Sequence, residues 1–301
     1  MKKFPQSYAE LEAAFLEWAQ RNPELELALV VGSRSRNQPP ADEWSDLDLI
    51  LFFEDPQPWT KDHAWLEAFG QIELIYAHAS PAGDVEWLLL YASGLKADFM
   101  VARFPPQVKN AADREEYLLN GPFAEVFSFG VRLLVDRRAE FTDLPQKAAR
   151  AGASALPSED VYNTCLQRFW MNCTRAAKFL RRGDLWRAKM LCDCTMKQAI
   201  LSMLEWLALV QGAGAGQVWY EGRNLPDWAD AGALEALPDT FGRYDRDDLW
   251  RALEASMSLF DRLAQECSRR LGYPYPQKLA ERIAERVSSI RGTNLLPPSD
   301  L

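Results

Sequence analysis

Residues 30–53, VVGSRSRNQPPADEWSDLDLILFF, join two apolar runs through a glycine-serine pair and a polar loop. The first run, LELALVV (25–31), sets Glu24 and Glu26 against Leu25, Leu27 and Leu29 before a wholly apolar finish, and reads as a strand ending at Gly32-Ser33. A loop rich in Asn, Pro and Asp (36–43) leads to SDLDLILFF, whose apolar continuity predicts a central strand covered on both faces. Asp46 and Asp48 stand two residues apart at its start, so their carboxylates share one face. Like charges that close are costly unless neutralised. A divalent ion is the usual partner, and Mg2+ takes carboxylate and phosphate oxygens. Gly32 permits close backbone approach, Ser33 offers an amide and a hydroxyl to a phosphate, and Arg34 adds positive charge.

Working outward, the first element reads as a helix that Pro23 ends: Leu11, Ala14, Phe15 and Trp18 recur at helical spacing, and Ser7 with Glu10 has the form of a capping box. Further strands are expected at QIELIY (71–76), VEWLLLYA (85–92) and KADFMVARF (96–104), with a short helix near 60–69. The last of these strands carries a third acid, Asp98, among apolar neighbours, where an ionised carboxylate wants a metal or a proton-transfer role. After GVRLLVD, the polar, proline-containing stretch 136–160 is the expected linker. Beyond it the period becomes helical over 159–182 and 184–211, and Leu249, Leu253, Met257, Phe260, Leu263, Cys267 and Leu271 form the stripe of a third helix.

The chain of 301 residues suits two domains. Net charge is −9, and the excess acidity lies in the first half: 15 basic and 24 acidic side chains through Arg150, 19 of each beyond. That balance argues against tracking along a nucleic-acid backbone and suits metal ions and cationic small molecules. No apolar run approaches a membrane span, so no membrane partner and a cytoplasmic location are expected. Five cysteines, odd in number and all in the second half, read as buried thiols, and neither Cys192 and Cys194 nor His63 and His78 complete a zinc spacing.

Taken singly, a Gly-Ser pair is a turn and an Asp-x-Asp strand start is a solvated edge. In order, strand then Gly32-Ser33, strand with Asp46-x-Asp48, later strand with Asp98, they are specific. That order resembles the DNA polymerase beta type of nucleotidyltransferase. More narrowly, nearly the whole chain resembles the bacterial aminoglycoside 6-adenylyltransferases that inactivate streptomycin, through GSRSRNQPPADEWSDLDLILFFEDPQPW, WLEAFGQIELI, LKADFMV, GVRLLVD, MLEW (203–206) and DDLWRALEASMSLFDRLAQECSRRLGYPYPQ.

The resemblance implies an α+β architecture: an N-terminal nucleotidyltransferase domain (1–150) with a mixed β-sheet flanked by helices, then a C-terminal α-helical bundle (151–301) that binds substrate, with ATP and Mg2+ in a cleft between them. It implies triphosphate at Gly32 and Ser33, metal at Asp46 and Asp48, and Asp98 as third metal ligand, general base or both. The implied reaction moves AMP from ATP to a hydroxyl of an aminoglycoside, the 6-hydroxyl of streptomycin first among candidates, with the chain a monomer or homodimer. The alternatives are the same chemistry on another small-molecule or protein hydroxyl, or a catalytically silent nucleotide-binding regulator, against which the three retained acids count. Two departures from the family pattern stand out. Leu47 replaces a common aromatic residue, and QGAGAGQVWYEGRNLPDW (211–228) lacks the usual lysine after glycine, whose phosphate role would pass to Arg223.

In the second half, Glu205 beside Trp206 in an apolar helix is a candidate for a cationic acceptor, with solvent as the plainer partner. Trp170 is a candidate for packing on a sugar ring, against a core role. Tyr244 precedes Asp245, Asp247 and Asp248 at a helix start, where the aspartates read as caps and the tyrosine as a phosphate contact. Arg181 and Arg182 before Gly183 read as a helix C-terminus.

Overall fold

Strands β1 (Leu25–Val31) and β2 (Leu47–Phe53) pair antiparallel with Val31 opposite Asp48, and β2 in turn runs parallel to β5 (Lys96–Ala102). With β3 (Ile72–Ala79), β4 (Val85–Tyr91) and β6 (Val131–Asp136) they form one six-stranded mixed sheet of order β3-β4-β5-β2-β1-β6. β2 is therefore central, as its unbroken apolar run requires. The structure, a computed structural model, describes residues 4–36, 40–79, 84–151, 156–213, 218 and 220–292. It divides into two units, Met1–Ala153 and Ser154–Leu301. Parts of the loop 36–43, of the stretch 136–160 and of the segment 211–228 lie outside the described residues.

Both faces of the sheet are covered. One packs Leu49, Leu51, Phe53, Phe99 and Val101 beneath Leu11 and Phe15 of α1 (Tyr8–Arg21), whose first turn Ser7 caps by accepting the Glu10 N–H at 3.3 Å. The region expected as a short helix near 60–69 is instead α2 (Gln57–Lys61) followed by a 3-10 turn (Ala64–Ala68). Its Trp59, Trp65 and Phe69 close an aromatic cluster around Trp18. The opposite face packs Leu29, Val31, Ile50 and Phe52 against α3 (Ala111–Asn120), α4 (Ala124–Ser128) and α5 (Leu144–Ala151). The α5 helix corrects the expected linker. Leu144 and Ala148, four residues apart and buried, give this polar stretch one apolar stripe, enough to seat a helix on the sheet.

The second unit is helical. Helix α6 (Glu159–Arg182) begins at the Ser158 cap and ends at Gly183, whose φ of 76° is the left-handed stop expected after Arg181 and Arg182. The single helix expected over 184–211 is α7 (Leu185–Met190), a π-helical turn (Leu191–Met196) and α8 (Lys197–Val210). The short α9 (Leu225–Trp228) and α10 (Ala231–Ala236) precede α11 (Arg246–Leu271), capped by Asp245, which accepts the N–H groups of Asp247 and Asp248. Helix α12 (Gln277–Gly292), absent from the sequence reading, covers the bundle through Ala280 and Val287. At its centre Phe169 stacks on Phe260 with centroids 3.6 Å apart, both fully buried. Phe169→Ala should therefore cost about 3–5 kcal/mol of stability, read as a lowered denaturant midpoint, because the helices around it cannot close the void.

Candidate active site

The register of the sheet assembles the acids. Asp48 is the Cα partner of Asp98 across the parallel β2/β5 pair. Both lie on the face that carries Ile50 and Phe52 lower down, beyond where the apolar packing ends. Asp46 sits just ahead of β2 rather than in it, a correction to the expected strand start, yet it still belongs to the same alternation. Gly32, at φ 66°, follows directly from the Val31 that faces Asp48. A Cβ there would come within 2.5 Å of Asp48 Oδ2, so the glycine is required both by its left-handed backbone and by the carboxylate beside it. Ser33 is buried in the 3-10 turn Gly32–Ser35.

Sequence reading passed over Lys96. Its Nζ donates to Asp46 Oδ2 at 2.7 Å and to Asp98 Oδ2 at 3.5 Å. The signal was present, since Lys96 lies two residues before Asp98 on one strand and hence on the same face. Glu86 of β4, the other acid missed, adds negative charge from the neighbouring strand. Arg34, expected as charge for a phosphate, has a different task in the structure. Its guanidinium donates to the Ser45 carbonyl at 2.7 and 3.0 Å and to the Asp42 carbonyl at 3.2 Å, and lies 3.6 Å over the Tyr8 ring. It fixes the loop that delivers Asp46.

The electrostatics follow from this crowding. Burial, then Asp98, then Asp46 push Asp48 up to about 7, with Lys96 opposing. Asp98 is also raised, by burial and by Asp46 against the pull of Lys96. Burial depresses Lys96, but its two carboxylate partners outweigh that and raise it. Asp98 Oδ1 is buried and accepts no hydrogen bond, a costly position for a carboxylate oxygen that has no further partner. An oxygen-only donor set with one orphaned carboxylate oxygen fits a hard divalent cation. Among the described residues no three acids, histidines or cysteines enclose a metal by themselves. Mg2+ asks only for one or two carboxylates together with phosphate oxygens.

The remaining candidates belong to the second unit. Trp170 is 3% exposed, edge-on to Phe169 and Phe260 at 5.4 and 5.9 Å. A ring so enclosed offers no face to a sugar, which corrects its expected substrate role. Glu205 is half-buried on α8, while Arg223 and Tyr244 are exposed, Arg223 accepting the Trp228 Nε1–H through its carbonyl at 2.9 Å. The described cysteines are free thiols, and no helix among the described residues is long and apolar enough to cross a membrane.

A family model described as streptomycin adenylyltransferase matches residues 6–290. The chain is 22% identical over 281 residues to an aminoglycoside 6-adenylyltransferase of Campylobacter jejuni, covering 90% of this chain and 91% of that one. It is 21% identical over 277 residues to an aminoglycoside 6-adenylyltransferase of Bacillus subtilis, covering 90% and 93%. A crystal structure of an aminoglycoside 6-adenyltransferase from Bacillus subtilis aligns over 95% of this chain and 99% of that one, with a TM-score of 0.44 and 19% identity.

Because the Asp48 carboxyl is raised from 3.8 to about 7, it binds its proton more tightly folded than unfolded. Its contribution to stability is thus present at low pH and lost as pH rises through about 7. In EDTA, Asp48→Asn should melt above the parent at about pH 8 and approach it at about pH 4. Parallel melting curves for the two proteins across that range would contradict the crowding.

Proposed function

The chain belongs to the streptomycin adenylyltransferase family, and from that premise we propose that it moves AMP from ATP to a hydroxyl of an aminoglycoside, the 6-hydroxyl of streptomycin, with release of pyrophosphate. That it is a nucleotidyltransferase follows from the family. The observation that supports the transfer chemistry is the in-register pair Asp48 and Asp98 beside Gly32, with Asp46 held at their side, and the acceptor is proposed from the family.

In this reading Asp46 and Asp48 would be the principal ligands of Mg2+, with Asp98 adding its charge beside them and phosphate oxygens completing the set, and the ion would neutralise charge on the reacting phosphate and on departing pyrophosphate. Gly32 and Ser33 receive the triphosphate. The acceptor oxygen forms its bond to the α phosphorus, the bond from that phosphorus to the bridging oxygen breaks, and the hydroxyl proton passes to Asp98. A carboxylate raised by burial is a better base than a solvated one, because its pKa lies nearer the working pH. Excess acidity in the first unit suits both the metal and a polycationic antibiotic.

Incubation with ATP, Mg2+ and streptomycin should add the mass of one adenylyl group (AMP less water) to the antibiotic and release pyrophosphate. Streptomycin of unchanged mass, with adenylylation of another antibiotic in the same panel, would move the acceptor and keep the chemistry. No transfer to any acceptor would remove the proposal.

Asp98→Asn should lower single-turnover transfer by about 10²-fold or more while leaving calorimetric Mg·ATP affinity near the parent value. Loss of nucleotide affinity in step with rate would make Asp98 a metal ligand first.

A further inference from the structure

Lys96 touches the acid cluster and has no part in the transfer reaction. Among the described residues its ammonium bridges Asp46 Oδ2 at 2.7 Å and Asp98 Oδ2 at 3.5 Å. Its placement is not accidental to the sheet. Lys96 opens β5, its backbone N–H donates to Tyr8 Oη at 3.3 Å, and Tyr8 in turn backs the Arg34 that holds the Asp46 loop. The ammonium is thus held where two of the three acids converge, with Asp48 left to its partners' repulsion.

We infer that Lys96 is a resident counterion of the acid cluster, standing in for the divalent cation while the site is empty of metal and competing with that cation for Asp46 and Asp98. The inference rests on the reading of these acids as the metal site. Its logic is charge balance. Asp46, Asp48 and Asp98 converge, Glu86 adds negative charge from β4 with His78 beside it, and Lys96 is the cation whose charge opposes the acids at Asp48 and Asp98. A positive charge that satisfies the apo site must be overcome by any cation that enters it. The Lys96 side chain, 44% exposed, has room on its solvent side to swing away once a cation arrives, and a lysine has the rotamers to do so. Lys96 acts through the acids, so it is a positioning residue.

A residue that merely braced the fold would, when removed, weaken both the protein and its metal. A resident counterion gives opposite signs. Lys96→Met should lower the melting temperature in EDTA by a few degrees and yet tighten binding of Mn2+, in the absence of nucleotide, by about 5-fold, the scale of a half-exposed charge pair. Lys96→Arg, which keeps the charge, should retain parental Mn2+ affinity. Binding is read by the electron paramagnetic resonance signal of free Mn2+ during titration of the full chain, with Asp48→Asn as the reference for a damaged site. Unchanged or weaker Mn2+ binding in Lys96→Met, with the parent binding and Asp48→Asn not, would overturn the counterion role and leave the metal site intact. Failure of the parent to bind Mn2+ without nucleotide would overturn the competition, and failure with a non-hydrolysable ATP analogue present as well would overturn the reading of the acids as a metal site. If Lys96→Met does not fold, Lys96→Gln carries the same expectation with a side chain of nearly the same length.

Discussion

Two carboxylates locked in register on adjacent strands, Asp48 against Asp98, set the constraint that the neighbouring structure answers. The parallel β2/β5 pairing cannot slip by one residue without turning Ile50 and Phe52 out of one core and Leu49 and Leu51 out of the other, so the acids cannot relax apart along the strands. Repulsion and burial together hold Asp48 near neutral pH, and the surroundings are shaped to live with that. Gly32 yields the space a side chain would take, Lys96 supplies the opposing charge, and Arg34 spends its guanidinium on backbone carbonyls. A fold under no functional demand would place one apolar residue at position 48 and dispense with all three.

The order of Gly32-Ser33, Asp46-x-Asp48 and Asp98 was legible because strand period alone decides which side chains share a face, and because β2's apolar run could only be central. The division into a first half that mixes strands with helices and a helical second half followed from the same periodicities, and the mixed sheet was what the resemblance implied. What escaped was whatever depends on pairing between elements. The partnership of Lys96 with Asp46 spans fifty residues and exists only once β5 lies beside β2. Arg34 looked like a phosphate ligand because nothing local reveals that Ser45 and Asp42 turn their carbonyls toward it. Trp170 looked available because an amphipathic pattern tells which face is apolar and not how completely other helices cover it.

Local irregularities were hidden for another reason. The π turn at Leu191–Met196 keeps helical periodicity on both sides, so the pattern reads as one helix. Its cost is met by tertiary contacts: Lys197, at the restart, donates to the Cys192 carbonyl and to Ser256 of α11, both at 3.1 Å. The linker misreading has the same origin. A stretch with glycine, prolines and charges scores as loop, yet Leu144 and Ala148 find a sheet face to bury, and tertiary burial overrides composition.

The three acids are not equivalent in how they are held. Asp48 and Asp98 rise from central strands whose backbone is fixed by hydrogen bonds on both sides, the most rigid platform the unit offers. Asp46 stands one residue outside that ladder, at the end of a loop whose placement depends on Arg34 and on the Ser45 hydroxyl, which donates to Asp42 Oδ1 at 2.7 Å. A rigid pair and one carboxylate on a clamped loop divide the cluster into a fixed part and an adjustable one. The pair fixes where charge sits, and the loop carboxylate, paired with the half-exposed Lys96, is the one able to exchange partners without disturbing the sheet. Asp46 and Lys96 therefore form the adjustable half of the centre, and Asp48 with Asp98 the invariant half.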